Sequence, residues 1–150
     1  MHRKVQLIVS GGIRSGADTA KALALGADAV SIGSAAMVAL GCNRNVFTED
    51  YDALGTAPGY CHHCHTGRCP VGITTQDPEL EARLQPEQGA RWVRNYLGTM
   101  VLELQTLARA CGKSHVSNLE PEDLTALTIE AAAMAKVPLA GTDWIPGNIK

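Results

Sequence analysis

The sequence predicts an α/β fold with parallel strands, and three observations predict it. Two short apolar runs, VQLIVS at 5–10 and ADAVSIGS at 27–34, each close on a glycine corner, Gly11-Gly12 and Gly33-Ser34. A helix-spaced, alanine-rich stretch follows each corner. The connections between these pieces are short, so the order strand, helix, strand, helix reads as a βαβα unit, whose strands run parallel.

Taken in order, VQLIVS is apolar and β-branched, the signature of a buried strand, and the Gly-Gly pair punctuates it. In SGADTAKALALGA, Ala17, Ala20, Leu23 and Ala24 fall at helical spacing, and Gly26 stands where a helix-ending glycine belongs. ADAVSIGS gives the second buried strand and AAMVALGC a short helix. Residues 43–60 lose periodicity and gain acids, glycine and proline, which predicts an exposed excursion. A cysteine- and histidine-rich loop follows at 61–72, then a polar connection with prolines at 70, 78 and 86, where Asp77-Pro78 reads as a turn or helix start. From Gly89 the pattern turns strongly helical: Val93, Leu97, Met100, Leu104, Leu107 and Cys111 form one apolar face, with Gly112 as a stop. Cys111 is expected in the core and His115 beside the last carbonyls of that helix. A final helix is expected over 120–136, with Pro121 and Asp123 in its first turn. The resulting parts are 1–42, 43–88 and 89–150.

Composition narrows the function. Apolar residues make up 45% and charged ones 19%, with net charge −2, as in a soluble globular chain. There is no basic excess to attract nucleic acid or anionic membrane, and no apolar run long enough to span a bilayer. The N-terminal stretch runs straight into the Gly-Gly corner without a cleavage region, so the cytoplasm is the expected compartment. The five cysteines are an odd number, which argues against a disulfide framework. Two parallel strands alone leave edges and an apolar face bare. The chain is therefore expected to be the closing piece of something larger, the other option being a small αβ domain that dimerises through its sheet edge.

Two sites stand out. The corners at Gly11, Gly12, Gly33 and Ser34 each precede a helix, where backbone N–H groups and the helix dipole favour phosphate. Two such corners on adjacent strands match the phosphate site after the last two strands of a (β/α)8 barrel. The second site is CHHCHTGRCPVG, residues 61–72. Cys61 and Cys64 form C-x2-C, and Cys69 lies five residues on. With one of His62, His63 or His65 these thiols could supply a tetrahedral zinc site; with Cys42 as a fourth sulfur they could hold an iron–sulfur cluster. The histidines could also bond cluster sulfurs. Glu120, Glu122 and Asp123 read as acids at a helix start. Arg14 lies close to the first corner.

The segment GGIRSGADTAKALALGADAVSIGSA resembles the last βαβ unit of FMN-dependent (β/α)8 barrels, among them glutamate synthases, 2-hydroxyacid oxidases and inosine monophosphate dehydrogenases. ALGC at 39–42 and CHTGRCPVGITTQDPEL at 64–80 look like the glutamate synthase large subunit in particular. The C-terminal stretches ACGKSHVSNLEPEDLTALT and AKVPLAGTDWIPG look like the branch found in archaea and some bacteria. The resemblance implies the closing part of a TIM barrel, with its last two βα units, an iron–sulfur loop and C-terminal helices. It implies FMN near Gly11, Gly12, Gly33 and Ser34, and a 3Fe–4S cluster on Cys42, Cys64 and Cys69. Two departures bear on the cluster: 21 residues separate Cys42 from Cys64, a longer interval than the family's, and Cys61 is additional. Either Cys61 replaces Cys42, or all four cysteines hold a 4Fe–4S cluster.

The implied function is oxidoreduction: electrons from ferredoxin or an NADPH-oxidising subunit pass through the iron–sulfur centre to FMN, forming glutamate from 2-oxoglutarate and glutamine-derived ammonia. The expected partners are upstream barrel and glutaminase domains or subunits, and the chain alone is expected to be inactive. The competing readings are a zinc-binding interaction module and a related FMN oxidoreductase acting on another amino acid.

Overall fold

The computed structural model describes residues 5–147, which form two compact units: one of the segments up to Ile32 and from Thr99 onward, the other Gly33–Gly98. The fold is mixed α/β with one two-stranded parallel sheet among the described residues. No helix among them is long and apolar enough to cross a membrane.

In the first unit, β1 (Ile8–Ser10) and β2 (Ala29–Ser31) pair in parallel, with Ile8 opposite Ala29 and Ser10 opposite Ser31. Both strands therefore end at the same edge. Asp28 steadies the opposite edge, its carboxylate accepting the Leu7 N–H at 2.7 Å. The strands were expected to be buried, yet Ile8 is 65% exposed. The physical reason is that α1 and its neighbours form a covering layer of limited extent, and among the described residues of this unit no further strand pairs with β1.

Helix α1 (Gly16–Ala24) begins on a reciprocal cap. The Ser15 hydroxyl accepts the Asp18 N–H at 3.2 Å, while the Asp18 carboxylate accepts the Ser15 N–H at 3.1 Å. The ordinary acidity of Asp18 is strengthened by the Arg14 backbone N–H and the Ser15 hydroxyl, which hold its pKa down. The unit's core is made of small residues: Ala20 and Ala24 of α1 meet Ala108 and Leu119. Ala108 lies on α5 (Pro86–Ala110), a 25-residue helix whose later half belongs to this unit. Alanine and glycine are required because the backbones come close. A Cβ at Gly16 would strike the Met100 carbonyl and lie 2.6 Å from the Leu104 nitrogen. The Gly16 N–H also donates to the Glu103 carboxylate at 2.7 Å, so a negative charge sits at the α1 N-terminus. Gly16→Ala is accordingly expected to cost about 1–3 kcal/mol by overpacking, read as a lower thermal midpoint of the full-length protein; an unchanged midpoint would contradict this packing.

The C-terminal part departs from the expected 120–136 helix. Val116–Asn118 and Pro121–Asp123 are short 3-10 turns, and α6 covers only Ile129–Ala135 after a Thr128 cap. (Helices α2 to α4 belong to the second unit, below.) Pro121 and Asp123 do start a turn, but Asp123 closes it by accepting the Glu120 N–H at 2.9 Å. Leu124 is then extended, and Ala126 is drawn into a bridge with Leu139. Ala126, Ala132 and Val137 form a second small core there. Lys113 gathers the acids, lying 3.4 Å from Glu120, 3.2 Å from Glu122 and 3.4 Å from Asp123. Cys111, expected in the core, is exposed because α5 ends one residue earlier and the chain turns outward. His115 caps the following turn, its Nδ1 accepting the Ser117 N–H at 3.2 Å, and not the end of α5.

In the second unit, α2 (Ser34–Leu40) stops at Gly41, whose φ of 117° reverses the chain towards Cys42. The stretch 43–60, expected to be an exposed excursion, contains α3 (Thr48–Ala53) and buries Tyr51 to 1% exposure. Six residues are too few to show a period, and α3 is held by packing. Helix α4 (Pro78–Glu81) starts where Asp77-Pro78 announced it, with the Asp77 carboxylate accepting the Glu79 and Leu80 N–H groups. The first half of α5 completes the unit: Gly89 lies against Leu40, whose Cδ1 would stand 2.7 Å from an added Cβ.

Candidate metal centre in the cysteine loop

Four cysteines, Cys42, Cys61, Cys64 and Cys69, fall in the second unit. Three devices bring them together. The first is Asn43, in left-handed conformation at φ 61° directly after Cys42. Its side-chain oxygen accepts the Gly59 and Cys61 N–H groups at 3.1 and 3.3 Å, while its Nδ2 points to the Cys42 sulfur at 3.6 Å. One side chain thus ties the end of α2 to the start of the cysteine loop.

The second device is Arg83. It bonds Asp50 of α3 at 2.8 Å and the Pro70 carbonyl at 2.8 Å, and its guanidinium lies over the Phe47 ring at 4.4 Å. Helix α3 is thereby clamped to the residue after Cys69. The third is Gly72, with φ 79°. A Cβ there would strike the Leu80 carbonyl and stand 3.0 Å from the Leu84 nitrogen. The turn it permits folds Val71–Thr74 back over Cys69.

The packed centre is Tyr51, Cys69 and Val71, with Phe47, Cys61 and Ile73 against it. Burial pushes the Cys69 thiol up, but the N–H groups of Thr74, Ile73 and Val71 and the Thr74 hydroxyl outweigh it, so its pKa is lowered. The Cys42 thiol moves the other way: burial raises it, and Cys64, Cys69 and Cys61 add to the rise. The Cys42 thiol therefore lies in the field of the other three. Cys69 reaches the thiolate form required of a metal ligand more readily than Cys42. Burial, then Cys61, Cys42 and Cys69, push the Tyr51 phenol up to about 12, so it stays protonated at neutral pH.

Four buried polar atoms of this unit make no hydrogen bond: Arg44 Nε, Tyr51 OH, His63 Nδ1 and Thr74 Oγ1. Such orphans are costly and rare in native interiors. The Thr74 hydroxyl makes no formed bond, yet its proximity to Cys69 is enough to favour the thiolate. His62 stacks on His63 with ring centres 4.8 Å apart and turns its own Nδ1 to the Tyr60 carbonyl at 3.3 Å. Among the described residues, no group of three or more His, Cys, Asp or Glu side chains converges on a point sized for one metal ion.

The glycine corners are each open. Gly11 and Gly12, after β1, have φ of 108° and 71°, and a Cβ on either would meet nothing within 4 Å. Gly33 precedes Ser34, the first residue of α2, and is equally unobstructed. Gly11 and Gly12 belong to the first unit, Gly33 and Ser34 to the second. Sequence reasoning passed over Asn43, Tyr51 and Arg83. The acids Glu49 and Asp50 in the first turn of α3 were the available sign of a helix there. Nothing local marked Arg83, whose partners are 33 and 13 residues away.

The family described as the conserved region in glutamate synthase matches residues 1–114. A glutamate synthase large subunit-like protein of Rhizobium meliloti is 67% identical over 148 residues, which is 99% of this chain and 34% of the relative. An archaeal glutamate synthase [NADPH] of Methanocaldococcus jannaschii is 44% identical over 119 residues, 79% of this chain and 20% of the relative. The ferredoxin-dependent chloroplastic glutamate synthase of Oryza sativa subsp. japonica is 40% identical over 83 residues, 55% of this chain and 4% of the relative. The chain thus spans at most about a third of the length of these curated relatives. No solved structure matches it.

Proposed function

The chain belongs to the glutamate synthase family, and from that premise we propose that it is the iron–sulfur-bearing, closing part of a glutamate synthase-like FMN barrel. In this reading 1–42 supplies the last two βα units of a TIM barrel, 43–88 the iron–sulfur loop, and 89–150 a helical segment. Cys42, Cys61, Cys64 and Cys69 hold the cluster. The observation that supports the reading is that Cys61, Cys64 and Cys69 all act on the Cys42 thiol. Asn43 ties Cys42 to Cys61, and the unpaired Tyr51 and Thr74 hydroxyls lie near Cys69. The donor set fits: iron–sulfur clusters are held by thiolates and tuned by hydrogen bonds to sulfur. A polynuclear cluster also needs ligands set wider apart than one ion does, because iron and sulfide lie between them. A single zinc would need four of these side chains drawn together at its short bond lengths, and no such group is formed among the described residues.

A bound cluster supplies one-electron transfer. The chain's own residues orient and insulate it. The Gly72 turn brings N–H groups to Cys69, Asn43 positions Cys42, and Tyr51 fills the space beside Cys61 and Cys69. The backbone at Gly11, Gly12 and Gly33 is unobstructed, and these positions with Ser34 are proposed for the phosphate of FMN. The proposed reaction of the whole protein is reductive formation of glutamate from 2-oxoglutarate and glutamine-derived ammonia, with ferredoxin or an NADPH-oxidising subunit as donor and upstream barrel and glutaminase regions as partners.

The test is glutamate formation by the protein expressed from its complete reading frame, given glutamine, 2-oxoglutarate and a reduced donor. FMN should be released on denaturation. Absence of flavin, or donor oxidation indifferent to 2-oxoglutarate, would overturn the assignment. Cys61→Ala separates the ligand sets: with four thiolates it should lower the bound iron and change the paramagnetic signature. Unchanged iron and spectrum would leave a three-thiolate set of Cys42, Cys64 and Cys69.

A further inference from the structure

Tyr51 is buried to 1% exposure, and its hydroxyl reaches no acceptor. Tyr51 packs with Cys69 and Val71, with Phe47 and Cys61 against the same cluster, and Cys61, Cys42 and Cys69 are near enough to act on its phenol. A phenol that served packing alone would be better as phenylalanine, because an unpaired buried O–H loses its hydration for nothing. Among the side chains of that cluster, only the Cys61 and Cys69 sulfurs can accept a hydrogen bond.

We infer that the Tyr51 hydroxyl donates a hydrogen bond to a sulfur of the bound cluster or of a ligating cysteine, and that it sets the reduction potential from that position. The inference rests on the iron–sulfur reading above and adds a residue to it. Tyr51 is a positioning and tuning residue and does not ligate iron. The sign follows from charge. Reduction adds an electron to the cluster, and a donor aimed at sulfur stabilises the more negative state, so Tyr51 raises the potential. Asn43 and the backbone N–H groups at Cys69 act in the same direction from other sides. Helix α3 exists, on this account, to deliver the hydroxyl: Arg83 fixes it through Asp50, one residue before Tyr51.

The test compares wild type with Tyr51→Phe in the full-length protein, purified without oxygen, by redox titration of the cluster signal. Iron and sulfide content should be retained. The reduced-to-oxidised ratio at fixed poise should fall several-fold, a tenfold fall being about 59 mV for a one-electron couple. In the cluster-free protein the same substitution should not lower thermal stability, because the lost hydroxyl had no partner there. A retained cluster with unchanged potential would overturn the inference while leaving the cluster assignment intact. A wild-type protein without iron and sulfide would overturn the cluster assignment, and this inference with it. If Tyr51→Phe fails to assemble, 3-fluorotyrosine at position 51, a stronger donor of nearly the same shape, should shift the potential upward; no upward shift would count against the role.

Discussion

Cys69→Ala is expected to leave the full-length protein nearly free of bound iron, with the visible absorption of the cluster lost. Cys69 is the buried thiol at the packed centre, and N–H groups from three residues favour its thiolate. Metal binding requires deprotonated ligands, and the binding energy is also folding energy for a loop of this kind. The substitution therefore removes the best-prepared ligand and a buried side chain packed with Tyr51 and Val71. Thermal stability should fall as well, because the energy of loading no longer supports the loop. Cys111→Ala is the control. That thiol is exposed, in the other unit, and is not among the thiols acting on Cys42, so iron content should stay at the wild-type level. Equal loss from both variants would mean that iron is held without regard to the loop.

Gly72→Ala should damage the same centre through the backbone, without touching a ligand. A left-handed φ costs a non-glycine residue about 1–3 kcal/mol, and forcing a Cβ into a packed backbone costs about as much again. Here the obstruction is the Leu80 carbonyl and the Leu84 nitrogen, main-chain atoms that cannot swing aside. The combined cost of about 2–6 kcal/mol approaches the whole folding margin of a small domain. The loop over Val71–Thr74 should shift, withdrawing its N–H groups from Cys69. Iron content should fall several-fold and the thermal midpoint should drop. Gly67→Ala is the comparison: Gly67 has a similar φ of 73° but open space around it, so its loss should be the conformational strain alone. Equal effects from the two would show that the close approach at Gly72 is unimportant.

How much was legible in the sequence depends on how local the physics was. The strands and α1 were readable because β-branched runs, a glycine corner, the spacing of Ala17, Ala20, Leu23 and Ala24, and Gly26 are short-range signals. The long helix was readable from its apolar face, though it begins at Pro86, where proline at the first turn starts it earlier than the periodicity does. The 120–136 helix failed because Asp123 closes a tight turn on Glu120 and Ala126 is taken up by a bridge to the distant Leu139. The cysteines of the candidate site were legible as a cluster of residue types. Their framework was not, because Asn43, Tyr51 and Arg83 act over long sequence separations that no window captures. The family resemblance drew on ALGC and CPVG, and the matching relatives bear that family out.

The most direct measurement is iron and acid-labile sulfide content, with visible and low-temperature magnetic spectra, of the protein expressed from its complete reading frame and isolated without oxygen. The account predicts a brown protein with iron and sulfide in cluster proportion, both lost in Cys69→Ala. A colourless protein carrying one zinc, or one whose four loop thiols are all free to alkylation, would contradict it.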